Sequence, residues 1–112
     1  MTASFTENLI FSGEKVTAQL ILESDFSKEI RITMQKGQIM KKHQTPFPIV
    51  VHLLEGHIEF GVEEQLLSLK KGDILALKPS IPHDLKALEN SIVRLTLSKA
   101  DQVARVEKVT DL

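Results

Sequence analysis

The stretch GQIMKKHQTPFPIVVHLLEG, residues 37–56, contains two runs of strand length, the second of them mostly apolar, that are separated by the break Pro46-Phe47-Pro48. The first run begins after Gly37 and ends at His43, and the second leads to the turn Glu55-Gly56. Because proline has no backbone N–H, it is tolerated at strand edges and in connections rather than inside a sheet. The stretch therefore predicts two short β-strands with a sharp connection between them.

The rest of the chain follows a period of two. Apolar and polar residues alternate in four segments, residues 16–23, 30–35, 58–63 and 93–98. Turn signals follow one another at intervals of about ten residues, which is typical of an antiparallel sandwich or barrel. The sequence predicts an all-β fold in a single domain, residues 1–112, with a possible exception in a short helix over residues 100–109.

The composition excludes several classes of protein. The net charge is −1, with 14 basic and 15 acidic residues, whereas nucleic-acid binding usually needs a strongly basic face. The absence of cysteine excludes disulfides, thiolate metal sites and cysteine nucleophiles, and it fits a reducing cytoplasm. No apolar stretch approaches the length of a membrane span, and no signal peptide is recognisable. We therefore expect a cytoplasmic protein with no nucleic-acid or membrane partner.

Four histidines are the candidates for chemistry near neutral pH. His57 lies at an odd position in a strand whose apolar residues are at even positions, so its side chain is expected on the opposite, surface face. His52 lies in an apolar run, where a buried or interface histidine with one hydrogen bond is the simplest interpretation. His43 and His83 each lie beside a proline-rich segment that fixes the backbone direction. The hypothesis that these two share a functional site near a barrel mouth stands against the alternative of two separate structural histidines.

Residues 37–56 resemble the first sequence motif of the cupin superfamily. That motif consists of a glycine, five residues, two histidines separated by one residue, then a glutamate and a final glycine. Gly37, His43 and Gly56 occupy three of these positions. Thr45 stands at the position of the second histidine, and Ile49 stands at the position of the glutamate.

Residues 70–83 are similar to the second cupin motif. The segment Lys70-Lys71-Gly72-Asp73-Ile74 corresponds to its glycine–aspartate turn, and KPSIPH, residues 78–83, corresponds to the proline-led approach to its ligand histidine. Ala87 replaces an asparagine that some cupins carry further on. The resemblance spans about residues 33–98 and implies a cupin-type antiparallel β-barrel, also called a double-stranded β-helix or jelly roll.

Cupin enzymes typically hold a divalent metal with three histidines and one glutamate, and they leave positions open for substrate. The resemblance carries over only His43 and His83 of this set, because neutral Thr45 is a poor ligand and Ile49 cannot bind a metal. It implies either no metal or a weakly held ion such as Zn, Ni, Fe or Mn, with water or ligand completing its coordination.

The replacement of the glutamate makes the interior of the expected barrel more apolar. Ile49 would then line a pocket for a small, partly hydrophobic molecule beside the two histidines. The other predicted lining residues are Met34, Met40, Thr45, Phe47 and Leu85. The alternative is that these side chains fill the barrel and leave no pocket.

The resemblance implies three candidate functions, because one fold hosts many chemistries. The first is a small cupin of unassigned activity that binds a small-molecule ligand at His43 and His83, with or without a divalent metal. The second is a metal-dependent enzyme, isomerase or dioxygenase-like, and the third is a non-catalytic ligand-sensing module. In each case we expect a homodimer, because residues 16–23 carry Ile21 on their nominally wet face and could contact a second copy.

Overall fold

The computed structural model describes residues 1–100 and Val106. Its strands are β1 (Thr17–Glu23), β2 (Ser27–Met34), β3 (Ile39–His43), β4 (Ile49–Glu55), β5 (His57–Val62), β6 (Gln65–Lys70), β7 (Ile74–Leu77), β8 (His83–Ala87) and β9 (Ser91–Ser98). Apart from Ala100 and Val106, the helix predicted over residues 100–109 lies outside the described residues. The described part of the chain contains no helix with the length and apolar character that a membrane span requires.

Two antiparallel sheets enclose the core. Sheet A has the strand order β1-β2-β9-β4-β7, and sheet B has the order β3-β8-β5-β6. Strands that are distant in sequence are neighbours in space: β2 pairs with β9 from Ser27 opposite Ser98 to Met34 opposite Ser91. The predicted all-β fold class, an antiparallel jelly-roll barrel, is confirmed.

The core is built from alternate residues of the strands. In β5, Ile58, Phe60 and Val62 are buried, whereas the residues between them are partly exposed. The same alternation holds along most of β4. Burying one large apolar side chain stabilises a fold by about 1.5–3 kcal/mol. This gain explains why a period of two in the sequence becomes a sheet with one face turned inward.

The alternation predicted for β1 is wrong in its second half. Leu20 is opposite the core residue Ile30 and keeps the predicted face, although 46% of its surface is exposed, whereas Leu22 is opposite Glu29 of the outer face. The pairing of β1 with β2 shifts register between Leu20 and Leu22, which is the mark of a β-bulge. The extra residue, Ile21, changes which face the following side chains occupy. Because β1 is an edge strand of sheet A, the bulge disturbs a single ladder.

The outer face of β2 is not the wet surface that its alternation predicts. Arg31 and Thr33 are both buried there, because residues 5–10 run across this face of sheet A. The Arg31 guanidinium donates a hydrogen bond of 2.8 Å to the main-chain carbonyl of Glu7, and the Thr33 hydroxyl donates to that of Ile10. The covering segment is held through its backbone, and a hydrophobicity pattern does not reveal such contacts.

Candidate functional site

The structure brings His43 and His83 together. His43 is the last residue of β3, His83 is the first residue of β8, and the two are directly paired across the strands. Their ring centroids lie 4.3 Å apart, with an angle of 60° between the ring planes. The edge of one imidazole therefore faces the other at one end of the barrel.

Both imidazoles are oriented by backbone carbonyls. The Nδ1 atom of His43 lies 2.6 Å from the carbonyl oxygen of Lys41, and the Nδ1 atom of His83 lies 2.9 Å from that of Ile81. A carbonyl oxygen can only accept a hydrogen bond, so the neutral tautomer that fits carries its proton on Nδ1. Nε2 is then the basic nitrogen of each ring. Metal-binding histidines use the same orientation, in which one nitrogen donates to a carbonyl and the other is the ligand.

The two rings differ in their access to solvent. His83 is 3% exposed, and its ring stacks on the buried Phe60 ring with centroids 5.5 Å apart and only 9° between the planes. His43 is half-buried. A molecule from solvent would therefore meet His43 first, while Phe60 fixes the plane of the inner ring. Phe60 was not among the predicted site residues, although its place on the buried face of β5 was predictable.

Two proline-rich connections hold this end of the barrel. Thr45, which follows β3, is buried, and its carbonyl accepts a hydrogen bond of 2.7 Å from the backbone N–H of Ser80. The Thr45 hydroxyl accepts a bond of 3.3 Å from the backbone N–H of Phe47. Thr45 therefore links the connection that follows His43 to the one that precedes His83.

The predicted apolar lining residues belong to the core. Met34, Met40, Ile49 and Leu85 are all buried in the cluster that fills the barrel, whereas Phe47 is half-buried. Two surface pockets, of about 380 and 280 Å³, are defined by the described residues. Neither is lined by His43 or His83, although Ile49 contributes to the smaller one.

The described part of the chain offers few donors for a metal ion at this site. Within residues 1–100 and Val106, no group of three or more His, Asp or Glu side chains is placed to hold a metal ion. Ile49 occupies the place at which the resemblance implies a carboxylate, and its buried hydrocarbon side chain cannot offset the charge of a dication. His43 and His83 could supply two nitrogens, so any ion bound there would take its remaining ligands from water or from another molecule.

The other two histidines lie apart from this pair. His52 is half-buried on sheet A, where its register partners are Ile74 and Arg94. The Nε2 atom of His57 lies 2.6 Å from the hydroxyl of Ser68, its neighbour on β6. Neither ring joins the site.

A second polar cluster lies on the outer face of sheet A. The Glu29 carboxylate accepts hydrogen bonds from the hydroxyls of Ser27 and Thr96, both at 2.6 Å, and from Nε of Arg94 at 2.9 Å. Burial raises the pKa of the Glu29 carboxyl, but these hydrogen bonds and the Arg94 charge outweigh burial and hold the pKa below its ordinary value. Glu29 lies just outside the alternating segment 30–35, and the sequence analysis did not predict the cluster.

Comparisons with known proteins agree with the geometry of the fold. The cupin domain family matches residues 30–98. An RmlC-like cupin from Desulfovibrio desulfuricans is 24% identical, with 83% of this chain and 91% of that chain covered and a TM-score of 0.76. The SPY1581 protein of unknown function from Streptococcus pyogenes is 19% identical, with 91% and 90% covered and a TM-score of 0.75. KdgF from Halomonas sp. is 15% identical, with 90% and 89% covered and a TM-score of 0.70. A search of curated proteins gave no match.

At such identities the solved structures show a shared fold and carry no statement about activity. The family match is stronger evidence, because it covers more than half of the chain and runs from β2 to the end of β9. It includes both histidines of the pair and both positions, Thr45 and Ile49, at which the first motif departs from its pattern. The chain belongs to the cupin domain family.

Proposed function

We propose that this cupin binds a small-molecule ligand at the barrel end formed by His43 and His83. The observation that carries the proposal is the paired imidazoles, whose centroids lie 4.3 Å apart and whose Nδ1 atoms are both held by backbone carbonyls. Two adjacent imidazoles with fixed directions at one end of the barrel can act together as a recognition element.

The chemistry of the pair limits the ligand. In the neutral tautomer described above, Nε2 is the hydrogen-bond acceptor of each ring, so the chemistry of the pair suits a ligand with hydroxyl or N–H donors. Phe60 and the apolar core behind His83 leave little room inside the barrel, so the ligand would be small and would contact the half-buried His43. We assign no reaction, because the described residues beside the pair include no carboxylate in the place of Ile49.

Weak binding of a divalent cation is the second candidate function of the same site. The observation that favours it is the Nδ1-to-carbonyl orientation of both rings, which is the orientation typical of metal-binding histidines. With two protein ligands, affinity and metal selectivity would both be low, and the ligand itself could complete the coordination.

Protein purified without an affinity tag tests both candidates. Native mass spectrometry would detect a retained small molecule, elemental analysis would detect a metal, and calorimetric titration with Zn²⁺ would detect a weak cation site. We expect a retained molecule or a Zn²⁺ signal in the parent that is lost in His43→Ala. His52→Ala is the matched control, because it removes an imidazole from the outer face of sheet A and should change neither signal.

Each outcome separates the candidates. A retained molecule in metal-free protein supports ligand binding alone, whereas a Zn²⁺ signal that disappears in His43→Ala supports the cation site. His83→Ala should act in the same direction but can also destabilise the fold, because His83 is buried. If the parent retains no molecule and gives no Zn²⁺ signal that depends on His43, the proposed site is wrong.

A further inference from the structure

The larger pocket, of about 380 Å³, lies on sheet B beside the turn between β5 and β6. It is lined by residues of all four strands of this sheet and by the turn itself. Two of the lining residues, Gly61 and Asp84, alternate with buried neighbours along β5 and β8, which places them on the face turned away from the core. The pocket is therefore an outer cavity, separate from the interior of the barrel.

Gly61 leaves room for the carboxylate of Asp84 on the floor of this pocket. The two residues are directly paired across β5 and β8. A Cβ atom on Gly61 would come closest to Oδ1 of Asp84 and would lie 3.0 Å from its Cγ. The φ angle of Gly61 lies outside the left-handed region, so the backbone does not require glycine at this position. A glycine inside a strand weakens it and often marks a close approach, and here the carboxylate takes the place of the missing side chain.

The Asp84 carboxylate is half-buried and has no partner in the part of the chain that the structure describes. No ion pair or side-chain hydrogen bond joins it to a residue within 1–100. Lys42 also lines the pocket, but its ammonium group forms no ion pair with this carboxylate. Because a partly desolvated charge interacts more strongly than one in bulk water, an unpaired carboxylate on the floor of a pocket is a binding group for a cation.

The remaining lining residues define the class of cation. Glu63 and Glu64 form the turn at the rim, so that three carboxylates and one ammonium group surround the pocket and give it a formal charge of −2. A negative field of this kind concentrates cations near the pocket. Pro82 and Leu66, which is 72% exposed, add apolar surface beside the charged groups. An ammonium group on a short hydrocarbon chain matches both the charge and the apolar surface.

We propose that this pocket binds a small organic ammonium ion, with the charged nitrogen on the Asp84 carboxylate above Gly61 and the hydrocarbon chain against Pro82 and Leu66. The glutamates of the turn attract the cation, and Asp84 is the contact that fixes its position. The inference does not rest on the function proposed for the histidine pair, because neither His43 nor His83 lines this pocket.

Titration of isotope-labelled protein with n-butylammonium chloride, followed by amide NMR spectra, tests the site. We expect saturable shift changes at residues 61–66 and 84, with a dissociation constant in the millimolar range. Asp84→Asn should raise this constant about fivefold, as for the loss of one partly exposed ion pair. Glu59→Gln is the matched control, because it removes the same charge from the same face of β5 but lies outside the pocket. It should change the constant by less than about twofold.

Gly61→Ala gives a second test that keeps every charge. Its methyl group would displace the Asp84 carboxylate, so we expect binding to weaken about as much as in Asp84→Asn. The uncharged analogue 1-butanol should bind the parent more weakly than n-butylammonium does. Far-UV circular dichroism would check that each variant is folded.

Three results would overturn the proposal. The first is a parent protein with no saturable shifts at these residues, and the second is an equal loss of binding in Asp84→Asn and Glu59→Gln, which would indicate general attraction by the surface. The third is tighter binding of butyrate than of n-butylammonium, since that result would assign the pocket to anions held by Lys42.

Discussion

Two glycines show how the same backbone conformation can have different costs. Gly37 and Gly56 both lie in predicted turns and have φ angles of +92° and +96°. A Cβ atom on Gly37 would meet no atom within 4 Å. A Cβ atom on Gly56 would lie 2.5 Å from the carbonyl oxygen of Asn90 and 2.7 Å from Cα of Ser91. Gly37 therefore needs only the left-handed conformation, whereas Gly56 also allows the turn before β9 to approach closely.

Replacing each glycine with alanine should separate these two costs. We expect Gly37→Ala to lower the free energy of unfolding by about 1–2 kcal/mol, the usual cost of a left-handed alanine. Gly56→Ala should cost about 1–3 kcal/mol more, because backbone atoms of Asn90 and Ser91 must move to admit the methyl group. Urea unfolding followed by far-UV circular dichroism measures both, since the chain has no tryptophan or tyrosine.

Equal losses in the two variants would contradict the close approach. Ser91→Ala in the Gly56→Ala background provides a further check, because the Ser91 hydroxyl is also within contact of the added Cβ. It should recover little of the loss, since Asn90 and Ser91 also oppose the methyl group with backbone atoms.

At the scale of the element, β2 is buried on both faces. Its inner residues, including Ile30 and Met34, join the core, while its outer row is covered and hydrogen-bonded. In that row the Glu29 carboxylate is held by Arg94 and Thr96 of β9. The pairing of β2 with β9 therefore rests on a charge-assisted cluster as well as on the backbone ladder.

The Glu29 cluster predicts a dependence of stability on pH. Because the pKa of folded Glu29 lies below its ordinary value of 4.5, ionised Glu29 stabilises the folded state. This contribution is fully present above the ordinary glutamate pKa, and it is lost as the pH falls through the folded pKa. We expect Glu29→Gln to lower the free energy of unfolding near neutral pH and to flatten its decline in acid. Urea unfolding at a series of pH values measures this.

Glu14→Gln is the control for the pH experiment, because Glu14 is exposed. It should leave the acid part of the stability curve unchanged. A Glu29→Gln variant whose stability declines in acid as steeply as that of the parent would show that Glu29 does not contribute to that decline.

At the scale of the whole molecule, one core cluster joins the two sheets. Phe60 from sheet B is fully buried and stacks on His83, while Leu53 and Leu97 from sheet A belong to the same cluster. Met34, Met40, Ile49 and Leu85, four of the residues predicted to line a pocket, are members of this cluster. The histidine pair therefore lies at the end of the barrel. The packing of the core side chains, Phe60 above all, determines the position of the His83 imidazole.

Phe60→Ala should lower the free energy of unfolding by about 3–5 kcal/mol, the usual cost of removing a buried phenylalanine. We expect the variant to keep a single cooperative transition, because the sheets share one core. Leu66→Ala, on the exposed face of sheet B, should change stability by about 0.5 kcal/mol or less. A loss below about 1 kcal/mol in Phe60→Ala would mean that the interior is loosely filled near His83.

Much of the fold was predictable because its signals are local. Alternation identified β2, β5 and β9 as strands, and glycine or charged pairs marked the turns between strands. The prolines beside His43 and His83 showed where two strands end or begin. These features follow from the allowed conformations of a few consecutive residues, so a single sequence displays them.

The features that were not predicted from the sequence are not local. The bulge in β1, the burial of Arg31 and the stacking of Phe60 on His83 each depend on residues that are distant in sequence. A period of two shows that a strand has two faces, but it does not show what covers each face.

Residue type and spacing are enough to establish the class of fold, the family and the loss of two ligand positions. The folded chain is needed to establish that His43 and His83 are neighbours and that the Asp84 carboxylate lies over Gly61 in an outer pocket. Pairing across strands and contact between sheets arise only when distant segments exclude water together, so no local pattern records them.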